Sequence, residues 1–198
     1  MKKPTLQKGF TLIEMLVNIF IFSLILTVSL GSILVVLDSN RKAQSIKTAV
    51  DNLNFAMETM SRDLRFGMKY SCEGVTDCPL GGDSVTAQSN RDVDGDNDVD
   101  MFDTITYDLI ANPQDSNVYQ IVRSLAGGPN IAMTAPELKI EHLEFYVTGA
   151  PSLLEGNTEQ PKILITIKGY AETGRNVRTD FNLQTTVSQR CYDVGSCQ

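Results

Sequence analysis

The chain has 198 residues, 42% of them hydrophobic and 21% charged, with 24 acidic against 17 basic residues and a formal net charge of −7. That length holds a long helix and one globular domain rather than several domains. An acidic balance with no convincing basic stripe makes the chain a poor candidate for general DNA binding, which depends on neutralising phosphates. Nucleic acid is therefore not expected as a partner, although a local basic spot is compatible with this balance.

The first nine residues, Met1-Lys2-Lys3-Pro4-Thr5-Leu6-Gln7-Lys8-Gly9, are short and basic. Phe10 to Leu37 is an apolar run broken by a single charge, Glu14. At about 1.5 Å per residue a helix over this run spans roughly 42 Å. That exceeds a hydrocarbon core of about 30 Å, so it crosses with tilt or with its end emerging. Three lysines ahead of the run place the leader on the cytoplasmic side and the remainder outside. An ordinary secretory signal is cut after its apolar stretch, beside small residues. Here Gly9 lies before the stretch, so processing there leaves the apolar segment on the mature chain. A carboxylate in hydrocarbon costs up to several kcal/mol depending on depth, so Glu14 is expected to meet a partner. A signal anchor that happens to contain a glutamate is the plainer alternative.

The basic leader ending in Gly9, then Phe10-Thr11-Leu12-Ile13-Glu14, then the apolar helix, resembles the type IV prepilin-like proteins. That family covers type IV pilins and the pseudopilins of type II secretion. The resemblance implies that a prepilin peptidase cuts between Gly9 and Phe10 and methylates the new Phe10 amine. It makes Glu14 the family's glutamate, which pairs with a neighbouring subunit's terminus. The implied partners are the peptidase, other pilin or pseudopilin subunits and the inner membrane. The implied location is a single inner-membrane pass with a periplasmic domain, followed by incorporation into a pilus or pseudopilus. Loss of Lys2, Lys3 and Lys8 leaves 14 basic residues against 24 acidic, a side-chain charge of −10. Gly31 stands where many pilins carry a helix-kinking proline, and glycine also permits local melting of a helix.

Beyond Leu37 the helical period continues. Ile46, Val50, Leu53, Met57, Met60 and Leu64 form a stripe at spacings of three and four, while Asp38, Arg41, Lys42, Lys47, Asp51, Glu58 and Arg62 occupy other positions. No proline falls between Pro4 and Pro79. The pattern predicts one helix from about Phe10 to about Phe66, roughly 85 Å if straight, with residues 38–66 as its amphipathic half packed on a sheet. Cys72 to Asp103 is polar and glycine-rich and reads as loop. Strand patterns follow at Thr104–Leu109, Val118–Leu125, Leu143–Val147, Lys162–Tyr170 and Val177–Val187. Turns are expected at Asn112–Asn117 and at Gly174-Arg175. Sequential strands with short connections imply an antiparallel sheet in residues 67–198, and the class is α+β with a pilin-like arrangement.

Asp92, Asp94, Asp96, Asp98, Asp100 and Asp103 occupy positions 1, 3, 5, 7, 9 and 12 of a twelve-residue loop, the register of an EF-hand. A structural calcium ion is the expected occupant, with no organic cofactor. The sixth position is Asn97 rather than glycine, and the twelfth has the shorter arm of aspartate. A soluble acidic loop is the alternative, against which stands the repulsion among six carboxylates. Cys72, Cys78, Cys191 and Cys197 in an oxidising compartment suggest two disulfides. Of three pairings, the local Cys72–Cys78 and Cys191–Cys197 are expected because short loops close at low entropy cost. A zinc site built from all four is the alternative.

An enzyme is not expected. His142 is the sole histidine and falls in a strand pattern, and no serine or cysteine has the setting of an activated nucleophile. Leu53–Arg65, Ile105-Thr106-Tyr107, Arg123 and Leu143-Glu144-Phe145-Tyr146 loosely resemble minor pilins of the W type and the J-type minor pseudopilin. The expected function is therefore a minor pilin or pseudopilin, a structural subunit in filament assembly or its initiation. A tip-displayed adhesin or DNA-capturing minor pilin is the alternative.

Overall fold

The computed structural model describes residues 9–112, 115–151, 156–173 and 177–190. Its element order is α1 (Leu12–Phe66), β1 (Met68–Cys72), β2 (Cys78–Gly82), β3 (Val85–Gln88), β4 (Thr104–Asn112), β5 (Asp115–Leu125), β6 (Ile131–Ala132), β7 (Leu138–Thr148), β8 (Lys162–Thr173) and β9 (Val177–Ser188). The fold is α+β and pilin-like: one long helix, then an antiparallel sheet of nine described strands. Two compact units divide the chain at Gln44/Ser45, inside the helix.

The first unit is the apolar part of α1. Its large apolar side chains from Phe10 to Leu37 are 44% to 79% exposed among the described residues. A helix apolar all round and left bare needs lipid or other chains to bury it.

The second unit begins at Ser45. Ala49, Leu53, Ala56, Met60 and Leu64 are buried, following one helical face. This departs from the expected stripe at two points. Val50 is 48% exposed, and Ala49 and Ala56 take the innermost positions. Hydrophobicity alone ranks Val50 above the alanines, but small side chains let a helix backbone approach a sheet closely. Leu53, Met60 and Leu64 sit where the period puts them.

The sheet runs β1-β3-β4-β5-β7-β8-β9, with β2 added to β7 and β6 to β5. Its inner face supplies Val85, Ile105, Tyr107, Ile121, Leu143, Phe145, Ile163, Ile165 and Ile167, all buried. Alternation along β7 and β8 is what delivers every second residue to that face. The five long strands lie where period-2 patterns predict them. The expected turn at Asn112–Asn117 is narrower, since Asn112 ends β4 and residues 115–117 open β5, with 113–114 outside the described residues; the expected turn at Gly174-Arg175 lies wholly outside them.

The expected loop over Cys72–Asp103 is corrected: it holds β1's last residue, β2 and β3 before the acidic segment. Glu73 and Gly74 both have positive φ and are bracketed by Cys72–Val75 backbone bonds of 2.7 and 2.9 Å, the two-residue hairpin turn whose twist suits flanking strands. A Cys72–Cys78 disulfide closes this turn, and closing so short a loop contributes about 2 kcal/mol through the unfolded state. These strands are four or five residues long, and β2 ends in two glycines, so no window is long enough to show a readable alternation. Cys191 and Cys197, and hence their expected pairing, lie outside the described residues.

Gly169 is needed where it stands. The β7 register shifts between Ile140 and His142, leaving Glu141 as an extra residue opposite β8. A Cβ on Gly169 would lie 2.3 Å from the Lys139 carbonyl oxygen and 3.1 Å from Ile140 Cα. The bulge turns Glu141 to the outer face, where its carboxylate meets Arg178 at 2.8 Å and Lys168 at 3.7 Å.

Candidate functional site: the helix start, the acidic loop and a buried aspartate

At the N-terminal end of α1, Thr11 precedes the first helical residue and Glu14 follows three positions later. Glu14 Oε2 accepts from the Thr11 amide and the Thr11 hydroxyl, each at 2.9 Å, while the Glu14 amide donates to Thr11 Oγ1 at 3.3 Å. This reciprocal arrangement is a capping box, which satisfies backbone donors that a helix start otherwise leaves open. It also holds the Glu14 carboxylate against the helix start, four residues from Phe10. Both bonds fall on Oε2, and among the described residues no hydrogen bond reaches Oε1. Gly9 and Phe10 precede the helix and are exposed, as a processing site must be.

A family model of the prokaryotic N-terminal methylation motif matches residues 5–36. That motif is typical of type IV prepilin-like proteins. The motif implies processing by a prepilin peptidase and assembly with other pilin subunits, and with the apolar helix it points to membrane anchoring. The type IV pilin-like family is structural rather than enzymatic. No curated protein and no solved structure matches the chain.

The acidic segment between β3 and β4 is irregular. Asp92, Asp94 and Asp96 bring carboxylate oxygens within 4.8 Å of one another. Asp98 and Asp100 lie outside that group, their carboxylates accepting from the amides of Val99 and Phe102. Asp103 turns inward and is buried, Oδ1 accepting from the Val93 and Asp94 amides and Oδ2 from Asp100. Those amides, Val93 first and Asp100 next, hold its carboxyl below the usual range. For Asp94 the Asp96 amide pulls downward, but partial desolvation and the charges of Asp96, Asp103 and Asp92 outweigh it and raise the pKa. Asn97 has φ of 71°, so the asparagine in the glycine position adopts the left-handed turn that position requires.

One cluster escaped the sequence reading. Asp63, in the last turn of α1, has a side chain only 5% exposed. Its Oδ2 accepts from the Tyr107 hydroxyl at 2.7 Å and from Arg123 Nη2 at 2.8 Å, and its Oδ1 from Arg91 Nη2 at 3.4 Å. Burial, then the hydrogen bond to Asp63, pushes the Tyr107 phenol well above its ordinary value. The cluster therefore ties the end of α1 to β4, to β5 and to the residue that opens the acidic segment. The available signal was positional: Asp63 sits three residues after Met60 and one before Leu64, on the buried side of the stripe.

Proposed function

We propose that the chain is a minor pilin or minor pseudopilin, a structural subunit that takes part in building or initiating a filament. The observation that carries the reading is the bare apolar helix with Glu14 fixed at its start. Such a helix exchanges lipid for the helices of like subunits, and Glu14 meets the Phe10 amine of a neighbour. An anion and a cation pair in hydrocarbon where each alone would be costly. The minor role is supported by Asp63, Tyr107 and Arg123. They come from three of the four segments on which the resemblance to minor subunits rests, and they converge on one buried cluster. Quantifying subunits in sheared filaments tests this. The chain is expected at a small fraction of the major subunit, and its deletion is expected to reduce filament number far beyond that fraction. Equimolar abundance, or filament numbers unchanged by deletion, contradicts the minor role.

The acidic segment is proposed as a calcium site. Its support is the convergence of Asp92, Asp94 and Asp96 together with the crowding that raises Asp94, since a hard cation relieves that repulsion through oxygen ligands. Magnesium suits the segment less because it keeps its waters. Calcium at a hundredfold excess over its Kd is expected to add about 2.7 kcal/mol, raising the Tm of the detergent-solubilised chain by about 5–10 °C over chelator. Superimposable melting curves contradict the site.

A further inference from the structure

The two ends of the sheet are unlike. At one end β1 has five residues, a register shift between Met68 and Ser71, and a disulfide-closed turn. These are devices that keep an edge from templating another strand. At the other end β9 has twelve residues and pairs with β8 without a register shift from Lys162↔Ser188 to Thr173↔Val177. Among the described residues no strand pairs its far side. The stretch Phe181–Ser188 contains no charge and no proline. Arg178 and Asp180 occupy the outer face nearby but bind each other, with Arg178 also held by Glu141 and stacked over Tyr170 at 3.9 Å.

Beside this edge the inner face is incompletely covered. A cavity of about 170 Å³ opens between α1 and β9, lined by Ile46, Ala49, Leu53, Leu138, Phe181 and Leu183 among others. Phe181 and Leu183 point inward but remain half-buried. A strand added to β9 would stand at the open side of this cavity. Its backbone would pair with the free edge, and its alternate side chains would fall on the inner face beside Phe181 and Leu183.

We propose that β9 and this cavity form an acceptor site for an extended segment of a different polypeptide, with apolar residues alternating with uncharged polar ones. The alternation follows from the period of two, which sends every second side chain toward the cavity. The neutrality follows from Phe181–Ser188, which offers no charge to pair. A second copy of this chain is disfavoured by symmetry. Antiparallel self-pairing of β9 has its twofold axis perpendicular to the sheet, which reverses any helix lying on that sheet. The Ser45 ends of the two copies would then point in opposite directions, incompatible with both apolar segments entering one bilayer from the same side. That exclusion rests on the proposed membrane anchoring, whereas the acceptor site itself does not.

The full-length chain in detergent, titrated with the peptide acetyl-Thr-Val-Thr-Leu-Thr-Val-Thr-Lys-amide, tests the site. Two further peptides carry N-methyl groups on alternate amides, one for each edge of the strand. Binding is expected for the parent, with slowed hydrogen exchange at alternate amides of Phe181–Ser188. One methylated peptide is expected to bind at least tenfold more weakly and the other to bind like the parent. Equal binding of all three peptides would reduce the site to apolar contact and overturn the proposal. Absence of parent binding, or slow exchange before any peptide is added at the β9 amides that face away from β8, would overturn it too. Because no step depends on cleavage or filament formation, failure here leaves the assembly role untouched, and failure of that role leaves this site standing.

Discussion

Glu14→Gln is expected to keep the chain out of filaments while cleavage after Gly9 proceeds normally. The substitution separates the cap observed at Glu14 from the assembly contact proposed for it. Glutamine at this position still completes a capping box with Thr11, so α1 should start at the same residue. What it lacks is the charge that the proposed assembly contact needs. Leaving a neighbour's Phe10 amine without its partner in a desolvated setting costs about 3–5 kcal/mol, which is more than a hundredfold in the equilibrium between bilayer and filament. Immunoblots of sheared filaments against whole membranes read this directly. Thr11→Val is the complement: it removes the hydroxyl but leaves the carboxylate, and a defect much milder than that of Glu14→Gln is expected. If Glu14→Gln enters filaments at the normal level, the carboxylate serves the helix start alone.

Asp63→Ala is the other change with a large expected effect, here on stability. Removing the carboxylate strands the buried Tyr107 hydroxyl and the Arg123 guanidinium, whose Nε already lacks a partner among the described residues. Breaking a buried pair by deleting one member costs about 3–5 kcal/mol, on the order of a 10 °C fall in Tm for a domain of this size. Asp63→Asn, which retains an acceptor for Tyr107, should cost less. The double variant Asp63→Leu with Arg123→Met should recover much of the loss, because replacing both members of a buried pair by apolar groups is often neutral. A Tm within a degree of the parent for Asp63→Ala would show that the cluster does not hold the end of α1 to the sheet.

The legible parts of this chain were those with a sustained period. A helix of 55 residues and five strands of nine to twelve residues repeat their pattern often enough to be read from one sequence. The short strands β1, β2 and β3 were not, because their pairing is decided by partners far along the chain, such as Cys78 with Val147 and Val85 with Tyr107. The helix stripe was legible to within a fraction of a turn. It placed Val50 inward because hydrophobicity scales take no account of how closely Ala49 and Ala56 let the helix approach. Asp63 shows the opposite limit. Charge in a helix's last turn normally means solvent, and only the fold reveals that Tyr107, Arg123 and Arg91 arrive around it. At the N-terminus the ordered residues Thr11 and Glu14 were legible as a motif, while their mutual hydrogen bonds required the structure. The acidic segment was legible as a register of six aspartates, but the register did not reveal that Asp103 would turn inward to bind three backbone amides.

The apolar helix is expected to remain part of the mature chain, with Phe10 as its first residue. Mass spectrometry of the chain purified from membranes reads this out. The expected protein lacks residues 1–9 and begins with a singly methylated Phe10 amine. A protein retaining Met1, or one cut beyond Leu37, would rule this out.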